Sequence, residues 1–334
     1  MFSLSPAQLG MLRYALYIPE GVLLTTTNLL IFLAIIGHSA LRNTKSFAII
    51  GALALADALA GIGDVSGGIY RTNLVLNDQF GSLVSKQFCF RKAHNLIWLF
   101  AHPLQGIMLA VVAMDRFYAV FDPLQYIGLT WGYAKLLIGT AYGFCLANWL
   151  VGAATVNLGQ ASASAKNYSA LCILNDAVDQ TFYDVLYAIK TSAMFISVLL
   201  FAAVLVVYRK RTSVTNAIFD FNSQSADVKE ELRRQRKLTA SFAISCVMTL
   251  IFSAVPTAVI SFTSYFDFNF HRVLAWSYMF SNINPILNLL IYTKRNKEIR
   301  MGLRNLGASL PPNLRDWNEA QPQQTPTNQN VTLF

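Results

Sequence analysis

Charge is what this chain has least of. Only 13% of its 334 residues are Asp, Glu, Lys or Arg, against 54% hydrophobic, and mean hydropathy is +0.43. Soluble domains carry about a quarter charged residues, so an ordinary soluble domain is excluded. Acidic residues are the scarcer sign, 17 against 26 basic, for a formal net charge of +9. That excess does not gather on one surface. It is split among loops between apolar runs, and no nucleic-acid partner is expected. Neither a metal-ligand cluster nor a nucleophile beside a base occurs at membrane depth, so no enzyme is expected. An internal repeat is also missing, which counts against a transporter built from inverted halves. Met1 to Gly10 is polar and lacks the basic start and small-residue cleavage site of a signal peptide, leaving the first apolar run as the insertion signal.

What is there is hydrophobic length. A spanning helix needs about 20 mostly apolar residues, and seven runs qualify: 18–37, 47–70, 94–121, 133–158, 182–208, 238–263 and 271–292. Backbone groups in lipid must be satisfied within the segment, and runs such as 195–207 do not alternate as barrel strands would. The expected fold is an all-α membrane protein, a seven-transmembrane helix bundle. Lys and Arg concentrate on one set of loops (Arg42, Lys45, Arg209 to Arg211, Lys229, Arg233, Arg236, Lys237, Lys294, Arg295, Lys297, Arg300, Arg304). This asymmetry puts those loops inside and the N-terminus outside, at the plasma membrane. The chain then divides into an extracellular N-terminus (1–17), the membrane domain (18–292), a short amphipathic helix on the inner leaflet (293–306) and a disordered Pro-, Gln- and Asn-rich tail (307–334).

There are four cysteines. Cys145 and Cys246 fall inside spans, whereas Cys89 and Cys172 fall on the outer, oxidising side, where a disulfide can persist. Asn167-Tyr168-Ser169 is a glycosylation sequon on that side.

Polar groups inside the bilayer are costly and default to functional hypotheses. Asp57 lies roughly 16 Å from the inner edge of the second run and Asn284-Pro285 roughly 12 Å from the inner edge of the seventh, at 1.5 Å per residue. Asn28 lies at similar depth, so a hydrated network of Asp57, Asn28 and Asn284 is expected, with room for a sodium ion beside Asp57. Asp115 and Arg116 end the third run. Adjacent helical residues point to different faces, yet Asp115 can hold the guanidinium in one state and release it to a partner in another.

In order, Asn28, Leu55-Ala56-Asp57, Asp115-Arg116-Phe117 with Pro123-Leu124-Gln125-Tyr126, Trp149, Pro256 and Asn284-Pro285 resemble the class A (rhodopsin-like) G-protein-coupled receptors. Met114-Asp115-Arg116-Phe117 leading into Ala119-Val120-Phe121-Asp122-Pro123 is similar to nematode serpentine chemoreceptors of the srsx class. The resemblance implies an extracellular small-molecule or peptide ligand, a heterotrimeric G protein as partner, and activation through Asp115, Arg116, Asn284, Pro285 and Pro256. Departures exist: Ala254 stands where the family has a toggle tryptophan, Asn288 where it has the motif tyrosine, and Tyr278 where opsins have their Schiff-base lysine, so no retinal is expected. His94, Trp98 and His102 share a face of the third run, and with Lys190, Tyr187 and Tyr278 they converge where family members bind ligands. Asp184 or an acidic ligand would partner Lys190. The rival reading is a multi-pass solute transporter or channel, whose polar path would start from Asp57, Gln105, Asn284 and Asn288.

Overall fold

Apolar runs without internal stops become helices, and they continue past the lipid edge until something ends the hydrogen-bond ladder. The computed structural model describes residues 6–79, 81–158, 166–218 and 270–308, with 244, 247–249, 251–252 and 255 between them. Long helices carry the fold: α1 (Pro6–Gly37), α3 (Lys45–Leu76), α5 (Ala93–Phe121), α7 (Trp131–Leu158), α9 (Gln180–Ile218) and α10 (Phe270–Arg295). Between and after them come the short α2 (Ser39–Arg42), α4 (Lys86–Phe90), α6 (Pro123–Gly128) and α8 (Leu174–Ala177), then α11 (Lys297–Ala308). Five of the described helices, α1, α3, α5, α7 and α9, are long and apolar enough to cross a membrane. The expected sixth span, 238–263, with Pro256, Ala254 and Cys246, lies largely outside the described residues, as do Lys229 to Lys237 and the tail from 309.

Three helices outrun the apolar segments read from sequence. α1 starts at Pro6, α3 runs to Leu76 and α9 to Ile218, because polar residues end lipid contact but not helix propagation. The amphipathic segment is a separate helix: the chain breaks at Asn296, whose carbonyl accepts from the Arg300 amide at 3.2 Å.

α1 packs on α3 and α9 on α5. The first pair meets at glycines. A Cβ on Gly21 would lie 2.7 Å from the Gly61 carbonyl oxygen, and one on Gly61 2.8 Å from the Gly21 oxygen, so these backbones touch as small residues allow in membranes. Gly61→Leu is therefore expected to force the helices apart, at about 1–3 kcal/mol or more. Counting epitope-tagged receptor at the cell surface should show a clear loss.

The core between α3, α5 and α9 is Ile50, Leu104, Met108 and Phe201. Leu136, Leu150, Leu199 and Phe144 point outward and are exposed, as lipid-facing side chains must be. Two short strands were not foreseen. β1 (Leu83–Ser85) pairs antiparallel with β2 (Lys166–Ser169), Leu83 opposite Ser169. Beside them Cys89 and Cys172 form the expected disulfide, 83 residues apart in sequence with Cα atoms 4.9 Å apart.

Candidate functional site

Polar side chains in the described bundle collect at three levels along α3 and α5. At the end away from the disulfide, Arg116 and Asp115 are 1% and 2% exposed and form an ion pair. The long guanidinium curls back, its Nε donating to Asp115 Oδ2 at 3.0 Å, so the two meet despite being neighbours on the helix. Arg116 Nη2 also donates to Ser46 Oγ at 2.7 Å and Tyr126 Oη at 3.0 Å. The Tyr126 hydroxyl in turn donates to Asp115 Oδ1 at 2.9 Å. Burial pushes this phenol above its ordinary value, so it remains a donor at neutral pH. The segment after α5 explains how Tyr126 gets there. Asp122 caps α6 by accepting from the Gln125 amide, and Pro123 opens it, turning Tyr126 back under α5. Lys45 holds the exit of α6, donating to the carbonyls of Tyr126 and, at 3.0 Å, Leu129. Asp115 holds the guanidinium here, as the sequence suggested, but Arg116 is also enclosed, and releasing it means breaking this cage.

At the middle level Asp57 is 4% exposed and accepts from Gln105 Nε2 at 2.9 Å. Asn28 Nδ2 donates to the Pro285 carbonyl at 3.2 Å, joining α1 to α10. Asn284 Nδ2 donates to Thr249 Oγ1 at 2.7 Å. Tyr292, 2% exposed, lies within electrostatic reach of both Asp57 and Arg116. It stands four residues after Asn288, itself 4% exposed, which is the Asn-to-Tyr spacing of the family motif. The geometry favours anchoring the motif on Asn288 and Tyr292 rather than on Asn284. That register moves the opsin lysine position from Tyr278 to Asn282, and neither is lysine.

At the outer level Trp98 lies on a floor of glycine. A Cβ on Gly63 or Gly67 would come within 2.6 and 2.8 Å of its ring. Its Nε1 donates to Asp64 Oδ1 at 3.0 Å, while Asp64 Oδ2 accepts from Asn282 Nδ2 at 3.0 Å. Lys190 Nζ and His102 Nδ1 are 3.0 Å apart, which corrects the expected pairing with Asp184: that residue is exposed and bonds Gln180. The rings of Trp98 and His102 are 5.7 Å apart, and Tyr183 and Tyr187 stack at 6.3 Å. Tyr278 lies on α10, but its side chain is outside the described residues. His94 meets the Trp98 ring edge-on at 5.2 Å and also reaches the disulfide loop. With Arg71 and Asn95 it donates to the Cys172 carbonyl, at 3.2, 3.2 and 3.0 Å. Cys172 has φ 47°, a left-handed turn that aims its carbonyl at all three. Asn167, in β2, is exposed.

Sequence reasoning did not single out Glu20, Asp64, Asn282, Arg71, Ser46 or Lys45, and read Tyr126 only as part of a motif. Glu20 and Asp64 were available by the rule that found Asp57, since both are carboxylates inside apolar runs. Among the described residues no group of three or more His, Cys, Asp or Glu is placed to hold a metal ion.

The family model described as 7 transmembrane receptor (rhodopsin family) matches residues 27–292. Similar curated proteins include olfactory receptor 5p57 of Mus musculus, 25% identical over 60% of this chain and 62% of that one, just under two thirds of its length. Olfactory receptor 1571 of Rattus norvegicus is 25% identical over 70% of this chain and 90% of its own, and olfactory receptor 6A2 of Homo sapiens 25% over 90% and 88%. With the buried Asp115–Arg116 pair and the disulfide-pinned loop, a match over most of its length makes this chain a member of the rhodopsin family of seven-transmembrane receptors.

Proposed function

We propose that this receptor is chemosensory: a small extracellular molecule binds in the outer polar centre and shifts the bundle toward a state that activates a heterotrimeric G protein. Trp98, His102, Lys190, Tyr187 and Tyr278 are the ligand-contacting residues in this reading. The observation that carries it is the layering of polar groups along α3 and α5. Trp98 at the outer level is bonded to Asp64, Asp57 sits seven residues from Asp64 on the same helix, and Tyr292 is within electrostatic reach of both Asp57 and Arg116. A ligand that displaces Trp98 moves α3 against α5 and so strains the Arg116 cage. The olfactory receptors among its relatives support a volatile or otherwise small ligand.

The deciding test is a panel of small odorant-like compounds on cells expressing the chain, read out by G-protein activation. No response beyond untransfected cells, with receptor present at the surface, would sink the reading. The N-terminus is expected outside: an N-terminal tag should be labelled on intact cells and a C-terminal tag only after permeabilisation. A C-terminal tag labelled on intact cells would reverse the assignment of faces.

Asp57 serves as the relay in this scheme, with a sodium ion able to share its carboxylate alongside Gln105. Asp57→Asn keeps the shape and the Gln105 contact while removing the charge. It is expected to change ligand potency roughly tenfold, the size of one charge-assisted hydrogen bond, and to erase any sodium dependence. Dose–response curves in sodium and in potassium chloride check both, and curves that overlay those of the parent would make the residue purely structural.

A further inference from the structure

The outer ribbon has a break in its pairing. Leu83 faces Ser169 and Val84 faces Tyr168, but Ser85 faces Lys166, which leaves Asn167 with no partner across the ribbon. An extra residue on one strand is a β-bulge, which bends the strand and re-aims the side chain it frees. Here the freed residue is exposed. It is also the first position of Asn167-Tyr168-Ser169, a sequon whose middle residue is not proline. Its neighbours, by contrast, are tied down. Val84 packs on the disulfide cluster, the Tyr168 ring lies 5.3 Å from Lys86 Nζ, and Ser169 Oγ accepts from the Leu171 amide at 3.2 Å. The Ala170 amide then donates to the Ser82 carbonyl at 2.9 Å. A bulky group can therefore be joined to Asn167 without displacing a partner in the ladder. The compartment is fixed separately. Cys172, five residues further on, is bonded to Cys89, and such a bond persists on the oxidising side of the membrane. That is the side on which asparagine sequons receive sugar.

We propose that Asn167 carries an N-linked oligosaccharide, set on the outer ribbon by the bulge. The donor is an oligosaccharide on a lipid pyrophosphate. Asn167 Nδ2 attacks the anomeric carbon of its first sugar, forming a C–N bond as the C–O bond to phosphate breaks. The lipid pyrophosphate leaves, the amide gives up one proton, and nothing is oxidised or reduced. A hydrated sugar chain enters neither lipid nor a packed core, so the Asn167 side of the ribbon faces water in every state of the bundle. The ribbon can lift from the bundle but cannot turn over. The sugar also serves solubility: Leu83, opposite Ser169, is 59% exposed on this outer surface, and a solubilising neighbour keeps such apolar area from associating. This assignment needs the ribbon to lie on the outer face and is independent of where the ligand binds.

The full chain with a C-terminal tag is expressed in animal cells, and its band is compared before and after digestion with peptide-N-glycosidase. Digestion should move the parent band to lower apparent mass. Asn167→Gln and Ser169→Ala should each remove that shift, with the undigested variant running level with the digested parent. Sugar is added to the chain before it folds, so a variant that fails to reach the surface still reports on the site. Asn330→Gln, in the second sequon Asn330-Val331-Thr332, should leave the shift as it is. Digestion of the parent in heavy-oxygen water, followed by peptide mass spectrometry, should find labelled aspartate at position 167. A parent band that does not move, or a shift that survives both Asn167→Gln and Ser169→Ala, would overturn the proposal. A shift lost in Asn330→Gln alone would overturn it as well and reverse the assignment of faces. If the C-terminal tag is labelled only after permeabilisation and the parent band still does not move, the faces stand and the sugar at Asn167 is refuted.

Discussion

Arg116→Ala is expected to bring ligand-driven G-protein activation down to background while receptor still reaches the surface. The guanidinium is the cation at the end of α5, and it is held by Asp115, Ser46 and Tyr126 in a space it fills almost without exposure. A partner that opens the bundle would meet this group first, because its fork can trade the Asp115 oxygens for carbonyls or carboxylates of the partner. The variant also leaves Asp115 without its cation, a loss of about 3–5 kcal/mol for a buried pair. The comparison that matters is therefore with Arg116→Ala/Asp115→Asn, which removes both charges. If coupling fails in the single variant only, the defect is folding; if it fails in both at matched surface levels, the arginine is needed for coupling. The cage itself makes the opposite prediction. Tyr126→Phe deletes the hydroxyl that bonds both members of the pair and should raise ligand-independent activity several-fold. A silent Tyr126→Phe would mean that the cage does not hold the resting state.

Cys89→Ser should nearly abolish surface receptor. The bond closes a loop of 83 residues, worth about 4–5 kcal/mol in the chain-entropy account. More is at stake than loop closure, because the Cys172 carbonyl receives Arg71 from α3 and both His94 and Asn95 from α5. Without the disulfide, all three donors lose their fixed acceptor at once. Cys89→Ser/Cys172→Ser should be no worse than either single change, since each already breaks the one bond. Flow cytometry on a tagged receptor reads both results. Near-normal surface levels in the single variants would mean that the carbonyl hub alone holds the loop.

The helices were legible because hydrophobic length is a local property. α5 and α7 begin and end within two residues of the apolar runs 94–121 and 133–158. The overruns of α1, α3 and α9 were hidden because a helix in water and a helix in lipid obey the same hydrogen bonding. The disulfide was legible from two cysteines on one face. Asp115 was legible as a holder of Arg116, but Ser46 and Tyr126 beside it and the partner of Lys190 were not, since no pattern along one chain says which side chain of another element stands opposite. Asn284-Pro285 drew attention because the dipeptide is conspicuous, yet the buried Tyr292 points to Asn288 as the residue in register. Glu20 escaped notice because α1 was read as starting at 18, which left this carboxylate at the lipid edge instead of well inside the helix.

α9 keeps going after its neighbour has stopped. A Cβ on Gly106 would meet the Lys190 carbonyl oxygen at 2.8 Å, which aligns α5 and α9 at that level. Beyond it α5 runs to Phe121 and α9 to Ile218, about 22 and 42 Å of helix at 1.5 Å per residue. The longer helix therefore extends roughly 20 Å past the end of α5. Anything that approaches the Arg116 end of α5 must come in alongside a helical post of this height. The angle of approach is set by the post before any side chain is touched, and shortening it would change how a partner is oriented without altering what it recognises.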